Sequence, residues 1–304
     1  MASEAMDQIK AVMRASRQSA ADNPGLSIEQ LRSGMDQTLT GLPPVEGGRV
    51  EPVDAGGVPA EWTFPDDGRP TTGTLLYLHG GGYFQGSPAT HRRLVTALCL
   101  AAGMRGLSVD YRLAPEHPFP AAVADALAAY RWLTGPGGED PGRVVIAGDS
   151  AGGGLAAALL VALREASGSL PAGAYLLSPW TDLAGTGGSM RTRADADPMI
   201  DPSETGATAR RYAGDSDLRN PLISPLYADL AGLPPLLIHV GDSEVLLDDA
   251  TRMADRARGA GVAVELEVWP EAFHVFQMMV ELIPEADEAV ARAGAWMAER
   301  LAAD

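Results

Sequence analysis

From residue 73 onward, short aliphatic runs alternate with longer segments of helical length, and this rhythm limits the folds open to the chain. The strand-like runs lie at 74–78, 106–110, 143–148, 174–178, 235–240 and 264–269. The helix candidates lie at 88–102, 120–133, 151–166, 246–261 and 285–303. Strands separated by helices require right-handed crossovers, which give a mostly parallel sheet covered by helices on both faces. Earlier runs at 49–53 and 60–64 predict edge strands joined by a hairpin, so we expect an α/β fold with about eight strands.

Two segments do not follow this alternation. Residues 1–45 have a helical pattern, in which Ser27 is a candidate helix cap. Residues 186–220 form a long insertion between two strands, and such insertions are usually functional. We therefore predict a helical cap made of both segments, above a core formed by 46–185 and 221–304.

Charge and composition indicate the kind of partner. The 304 residues include 23 Lys and Arg against 40 Asp and Glu, a formal net charge of −17, while 46% of residues are hydrophobic. This balance argues against a nucleic-acid or anionic-membrane surface and favours a small neutral substrate.

The cysteine content and the hydropathy pattern favour a cytoplasmic protein with no stable membrane association. Cys99 is the single cysteine, so no internal disulfide framework exists, and its helical, apolar surroundings predict burial. The N-terminal segment lacks a secretory signal pattern, and no stretch is apolar enough to predict a membrane span.

The motif Gly148-Asp149-Ser150-Ala151-Gly152 lies between a strand run and a helix run. A serine nucleophile needs this context, because it stands on a sharp turn where bulky neighbours would collide. An ordinary glycine-rich turn is the alternative. The stretch lacks the spacing of a dinucleotide or P-loop motif, and the chain has no H-E-x-x-H pattern, so we expect neither a nucleotide cofactor nor a metal.

A serine hydroxyl needs a base, and imidazole serves that purpose near neutral pH. Where a serine on such a turn is catalytic, the acid and then the base follow it in the chain. Of the two histidines beyond Ser150, His239 lies inside an apolar run and predicts a buried structural ring. His274 follows the last strand run on a loop, so we predict that His274 is the base.

The acid should follow the preceding strand and hold the imidazole. Asp248 and Asp249 are expected in the first turn of a helix, where the helix dipole alone favours acids. Asp242 and Glu244 remain as candidates, and their spacing does not separate them.

Six motifs together resemble the hormone-sensitive-lipase family of α/β-hydrolase esterases, from about residue 73 to the C-terminus. They are HGGGYFQGS (79–87), DYRLAPEHPFPAA (110–122), GDSAGG (148–153), SPWTD (178–182), GDSEVLLDDA (241–250) and WPEAFHVF (269–276). The resemblance implies the α/β-hydrolase fold and a catalytic triad of serine, acid and histidine.

The resemblance also implies roles for further residues. The position of the family's acid, usually Asp, is occupied by Glu244, which leaves Asp242 as the runner-up. The oxyanion hole, formed by backbone N–H groups, falls on Gly81, Gly82 and Ala151, whereas His79 is expected to brace that loop.

The predicted substrate contacts come from the glycine loop, the SPWTD segment and the insertion. They are Tyr83, Trp180, Met199, Ile200 and Tyr212. Core or cap packing explains them equally well, and Asp182 is a further residue expected to border the pocket.

The sequence thus predicts a serine carboxylesterase that cleaves short- to medium-chain esters through an acyl-enzyme, without cofactor or metal. A lactonase or amidase using the same triad is the enzymatic alternative, and a non-catalytic ligand-binding protein is the minor one. The last strand run is a candidate exposed edge for a homodimer.

Overall fold

The computed structural model describes residues 2–22, 25–66 and 68–302. Within them, an eight-stranded sheet has the order β1-β2-β4-β3-β5-β6-β7-β8. The strands are Gly48–Asp54 (β1), Pro59–Pro65 (β2), Thr74–Leu78 (β3), Arg105–Val109 (β4), Val144–Asp149 (β5), Gly173–Leu177 (β6), Leu236–Gly241 (β7) and Val264–Trp269 (β8). The helices are Glu4–Asp22 (α1), Ile28–Thr40 (α2), Pro88–Ala102 (α3), Ala121–Thr134 (α4), Ala151–Glu165 (α5), Ser189–Thr192 (α6), Pro202–Ala213 (α7), Leu247–Gly259 (α8) and Pro284–Ala302 (α9).

The topology confirms the predicted fold class. β1 pairs antiparallel with β2, and β2 pairs antiparallel with β4, whereas all other neighbours pair in parallel. Every predicted strand is present, because each buried strand is a short aliphatic run that a crossover helix separates from the next.

The central strands are buried on both faces. In β5, Ile146 joins a core that includes residues of α4, α5 and α8. The adjacent Val145 points to the opposite face and joins a second core with residues of α3 and α9. Successive side chains of a strand alternate between faces, so one apolar run serves both cores.

The first helix packs on the loop that follows β8. Met6 is fully buried beside Phe273 and Phe276. Ser3 donates to the carboxylate of Glu285 through its backbone N at 2.6 Å and through its Oγ at 2.8 Å. These contacts join the start of the described chain to its last helix.

The second helix contacts two loops at the carboxyl end of the sheet. Ser27 caps it in a capping box with Gln30, as predicted. Arg32 donates to the carbonyl oxygens of Phe84 at 2.7 Å and Ala114 at 3.0 Å. The loops after β3 and β4 are therefore tied to α2.

None of the helices in the described part of the chain is long and apolar enough to cross a membrane. The same residues hold no group of three or more His, Cys, Asp or Glu side chains arranged to bind a metal ion.

Candidate active site

Ser150 occupies a strained turn between β5 and α5. Its backbone has φ 54° and ψ −120°, a conformation that non-glycine residues rarely adopt. Its N–H donates to the Leu177 carbonyl at 2.8 Å, and its carbonyl accepts from the Trp180 amide at 2.9 Å. These bonds to β6 and the segment after it hold the turn in place at the carboxyl edge of the sheet.

The glycines on either side of Ser150 make this turn possible. A Cβ atom on Gly152 would lie 2.0 Å from the carbonyl oxygen of Leu78, and one on Gly148 would lie 2.3 Å from that of Gly152. Both distances are too short for non-bonded atoms, so the small residues of the motif have the steric reason that the sequence indicated.

The glycine loop after β3 also requires glycine. Gly81 and Gly82 have φ values of +109° and +62°, and a Cβ atom on Gly81 would lie 2.2 Å from the Gln85 carbonyl oxygen. No hydrogen bond found within the described residues is donated by the backbone N–H of Gly81, Gly82 or Ala151. These three amides are thus available to an external acceptor.

The buried carboxylate of Asp149 holds the glycine loop through a hydrogen bond. Its Oδ1 accepts from the Tyr77 hydroxyl at 2.7 Å and from the Gly80 amide at 2.9 Å, and its Oδ2 lies 3.3 Å from His91 Nε2. Burial alone would raise the pKa of Asp149, but the charge and hydrogen bond of His91, together with the Tyr77 hydrogen bond, outweigh it and lower that pKa. No pattern in the sequence indicated this role for Asp149, although it lies inside the serine motif.

His79 braces the same loop, as predicted. Its ring stacks on Tyr111 with centroids 4.2 Å apart, and its Nδ1 donates to the Gly80 carbonyl at 2.8 Å. Burial lowers its pKa to about 3, so the ring is neutral at physiological pH.

His274 and Glu244 form a buried pair. His274 Nδ1 donates to Glu244 Oε2 at 2.7 Å, and the two residues are 2% and 0% exposed. The carboxylate of Asp242 binds a different group from the imidazole, because its Oδ1 accepts from the backbone N–H of Glu271 at 2.7 Å. Of the two carboxylates that the sequence left open, the structure brings Glu244 to the imidazole.

The pair has a specific electrostatic character. Burial lowers the pKa of His274, but the hydrogen bond and charge of Glu244, with weaker contributions from Asp197 and Asp149, raise it above the ordinary value. Because Nδ1 is bound to Glu244, Nε2 is the ring nitrogen left without a hydrogen-bond partner among the described residues. Ser150, Glu244 and His274 follow β5, β7 and β8, so all three lie at the same edge of the parallel sheet.

Three of the predicted substrate contacts cluster together. Tyr83 and Tyr212 stack with ring centroids 3.7 Å apart, and the Trp180 ring lies 6.4 Å from Tyr83. Ile200 is half-buried against the main core. Met199 is 47% exposed and borders a surface cavity that residues of α1 also line.

Two other polar residues of the sequence analysis serve the fold. His239 is fully buried beside Tyr175, whose hydroxyl lies 3.0 Å from its Nδ1, and burial lowers its pKa to about 3. Asp182 is also fully buried, and its Oδ2 accepts from Arg252 Nη1 at 2.9 Å. Its carboxylate is bound by protein donors, and that Asp182 borders the pocket stays a prediction.

Asp249 lies in the first turn of α8 as predicted, but the helix dipole alone does not explain it. It is fully buried, and its Oδ1 accepts from the backbone N–H groups of Thr181 and Asp182 at 2.9 and 2.8 Å. Burial, with the nearby Asp182 charge, raises its pKa to about 8 against the effect of those hydrogen bonds. Asp249 thus ties α8 to the loop after β6.

Asp197 connects the insertion to the loop that carries Glu244, a link that no pattern in the sequence indicates. Its Oδ1 accepts from the amides of Met199 and Ile200, and its Oδ2 accepts from that of Val245, all at 2.9 Å. Arg17 Nη1 of α1 donates to the Asp197 carbonyl at 2.6 Å. Both predicted cap segments therefore meet next to the loop of Glu244.

Comparison with known proteins agrees with this fold. A family model described as the alpha/beta hydrolase fold matches residues 75–278. An acetyl-hydrolase of Streptomyces hygroscopicus is 51% identical over 247 residues, which cover 81% of each chain. A crystal structure of an esterase from the bacterial hormone-sensitive lipase family superposes with a TM-score of 0.94 at 43% identity over 99% of each chain. A structure of EstE5 soaked with p-nitrophenyl butyrate has a TM-score of 0.94 at 41% identity, covering 99% of this chain and 100% of that one.

The fold, the serine turn and these matches define an α/β-hydrolase. Within that class, the chain belongs to the hormone-sensitive-lipase family of esterases, as the sequence motifs implied. Its activity is that of a carboxylesterase.

Proposed function

We propose that Ser150, Glu244 and His274 are the catalytic triad and that the reaction passes through an acyl-enzyme. The observation that carries the proposal is the buried hydrogen bond of 2.7 Å between His274 Nδ1 and Glu244 Oε2, at the sheet edge that also holds Ser150. A buried carboxylate orients the imidazole and stabilises the imidazolium that forms when the serine is deprotonated.

In the acylation step, Ser150 Oγ attacks the ester carbonyl carbon while its proton passes to His274 Nε2. The carbonyl oxygen becomes negatively charged and accepts from the backbone N–H groups of Gly81, Gly82 and Ala151. Such fixed donors stabilise the oxyanion more than the neutral ester, and one of them is typically worth ~3 kcal/mol. The tetrahedral intermediate then loses the alcohol, which takes the proton from Nε2.

Deacylation repeats these steps with water. His274 Nε2 removes a proton from the water as its oxygen attacks the acyl carbon, and the same three amides hold the oxyanion. The bond to Ser150 Oγ then breaks, Oγ regains the proton and the carboxylic acid leaves. The raised pKa of His274 makes it a suitable acid for both leaving groups.

We propose short- to medium-chain esters as substrates. Two relatives support this range, one named as an acetyl-hydrolase and one soaked with p-nitrophenyl butyrate. The buried stack of Tyr83 and Tyr212 fills space near the glycine loop and would limit the length of the acyl chain. In this proposal Trp180 and Ile200 line the acyl side, and the exposed Met199 lies at the entrance.

We propose a cap made of residues 1–45 and 186–220 over this site. The hydrogen bonds of Arg17 to the Ala194 and Asp197 carbonyls support it, because they join α1 to the insertion.

The homodimer and the cytoplasmic location also remain proposals. The edge position of β8, with Val268 43% exposed, supports the dimer, and the single buried Cys99 supports a reducing compartment. Light scattering over a range of protein concentrations tests the dimer, and cell fractionation tests the location.

The decisive experiment compares wild-type protein with Ser150→Ala on p-nitrophenyl esters of increasing acyl length, with a lactone and an anilide included. We expect highest kcat/KM between acetyl and hexanoyl esters, and no turnover or phosphonate labelling for Ser150→Ala. Phosphonate labelling of the variant would contradict the nucleophile. A preference for long-chain triglyceride, lactone or anilide would contradict the substrate class.

A further inference from the structure

Ser178 lies between the acid and the base of the proposed triad. It is the first residue after β6, is fully buried and has φ 44°, in the left-handed region that a serine rarely adopts. Its backbone N–H donates to the His239 carbonyl at 2.7 Å. The hydrogen bond to β7 fixes its position beside the loop that follows that strand.

The Ser178 hydroxyl makes two hydrogen bonds that reach different loops. It donates to Glu244 Oε1 at 2.6 Å, and it accepts from the backbone N–H of Val275 at 3.2 Å. Val275 directly follows His274 and has φ 50°, so the chain turns sharply at the base. One hydroxyl therefore contacts both the acid itself and the residue adjacent to the base.

A glutamate has particular need of such support. Its side chain has one more rotatable bond than that of aspartate, so its carboxylate has more orientations to lose. Glu244 Oε2 binds His274, while Oε1 accepts from the Gly241 amide at 2.5 Å and from Ser178. With both oxygens held, the carboxylate stays in the orientation that binds Nδ1.

We infer that Ser178 is a positioning residue for catalysis, whose hydroxyl holds Glu244 and the His274 loop in register during proton transfer. The inference rests on the proposed function, because it assigns Ser178 no contact with substrate. A hydroxyl suits this place since it donates and accepts at once, which neither alanine nor glycine does.

The test is a double-mutant cycle in kcat, with Ser178→Ala, Glu244→Gln and the double variant assayed on p-nitrophenyl acetate. We expect Ser178→Ala to lower kcat about tenfold in the wild-type background, with little change in KM. In the Glu244→Gln background we expect less than a twofold further loss, because the group that Ser178 positions no longer acts as a carboxylate. Thermal unfolding followed by circular dichroism gives the folded fraction by which each rate is corrected.

Ser224 provides a matched control. It is fully buried, and its hydroxyl also bridges two segments, accepting from the Leu183 amide at 2.8 Å and donating to the Leu218 carbonyl at 2.6 Å. Ser224→Ala should lower the melting temperature and leave kcat within twofold of wild type. If Ser178→Ala does not fold, Ser178→Cys replaces it in the cycle, since a thiol is a weak donor and acceptor of similar shape.

Three results would overturn the inference. A tenfold loss in both backgrounds would show that Ser178 acts independently of Glu244, and a loss below twofold in the wild-type background would show that it is dispensable. If Glu244→Gln were as active as wild type, the proposed triad would fail and this role with it. If Ser150→Ala has no turnover, Glu244→Gln keeps only a small residual rate and the cycle is additive, then the proposed triad stands and only the role of Ser178 is overturned.

Discussion

The backbone N–H of Gly80 donates to Asp149 Oδ1 at 2.9 Å, so the glycine loop is bonded to the residue that immediately precedes Ser150. The two residues are 69 positions apart in the chain. Through this bond, the proposed oxyanion donors and the proposed nucleophile keep a fixed relation to each other.

Asp149→Asn should therefore lower kcat by about tenfold or more, because the amide removes the negative charge and replaces one of the two acceptor oxygens with a donor. The oxygen lost is either Oδ1, which binds Gly80 and Tyr77, or Oδ2, which faces His91. KM should change little. The measurement is steady-state kinetics on a short ester, with the folded fraction taken from phosphonate titration. Asp255→Asn, at a side chain that is 79% exposed on α8, is the control. Equal kcat values for both variants would contradict the role given to Asp149.

The buried pair predicts different effects for two carboxylates that are two residues apart. Glu244→Gln should lower kcat by ~10⁴, the loss typical of an amide in place of a triad acid. Glu244→Asp should lower it by ~10², since the carboxylate would withdraw by about one C–C bond. Asp242→Asn should stay near wild type in activity. Full activity in Glu244→Gln with an inactive, folded Asp242→Asn would reverse the assignment.

The raised pKa of His274 predicts the pH dependence of the reaction. Catalysis needs the neutral ring as base, so kcat/KM should fall as the pH is lowered through a pKa above the ordinary 6.5. Glu244→Gln removes the charge that raises this pKa, so the acidic limb of its profile should move to lower pH. Profiles of kcat/KM between about pH 4.5 and 9, recorded for wild type and for Glu244→Gln, measure the acidic limb of each protein. An unchanged limb in the variant would contradict the attribution.

The close approach at Gly152 predicts a sharp contrast between two Gly→Ala substitutions in helices. At Gly152 the new Cβ would lie 2.0 Å from a backbone oxygen, so the free energy of unfolding should fall by ~2–3 kcal/mol. A Cβ atom on Gly206, in α7, would meet no other atom within 4 Å, and alanine there should raise stability by ~0.5–1 kcal/mol. Urea denaturation of both variants checks the pair. Equal effects would refute the steric account.

The buried Asp249 predicts a pH-dependent stability. Its pKa in the folded protein is about 8, well above the unfolded value, so its contribution to stability falls as the pH rises through that interval. Asp249→Asn keeps an acceptor for the Thr181 and Asp182 amides and cannot ionise. The melting temperature of the variant minus that of wild type should therefore increase by several degrees as the pH rises from about 5 to 8.5. A constant difference, like that expected for Asp255→Asn, would contradict the raised pKa.

The sequence predicted the strands and helices better than it predicted which side chains form hydrogen bonds with one another. β5 and its neighbours were predictable because a strand buried on both faces must be a short aliphatic run. Ser150 was predictable because the glycines that flank it in the motif are a sign of the crowded turn that such a nucleophile needs. His274 was predictable from its place after the last strand run.

The choice between Asp242 and Glu244 depends on contacts from another part of the chain. Both follow β7, and what separates them is that Glu271, on the loop after β8, bonds Asp242 through its amide. For the same reason, the sequence did not indicate the hydrogen bonds of Ser178 and Asp197, whose partners lie 66 and 48 positions away. Short-range patterns carry no information about such long-range pairings.

The hydrogen bonds of Ser3 to Glu285 join residues 282 positions apart. During synthesis the first helix therefore has to wait, without its final packing partners, until Glu285 has left the ribosome. Contacts of such long separation form late, because the intervening loop must close first. The loop of His274 lies under that helix, so a nascent chain should acquire its esterase activity in one of its last folding steps.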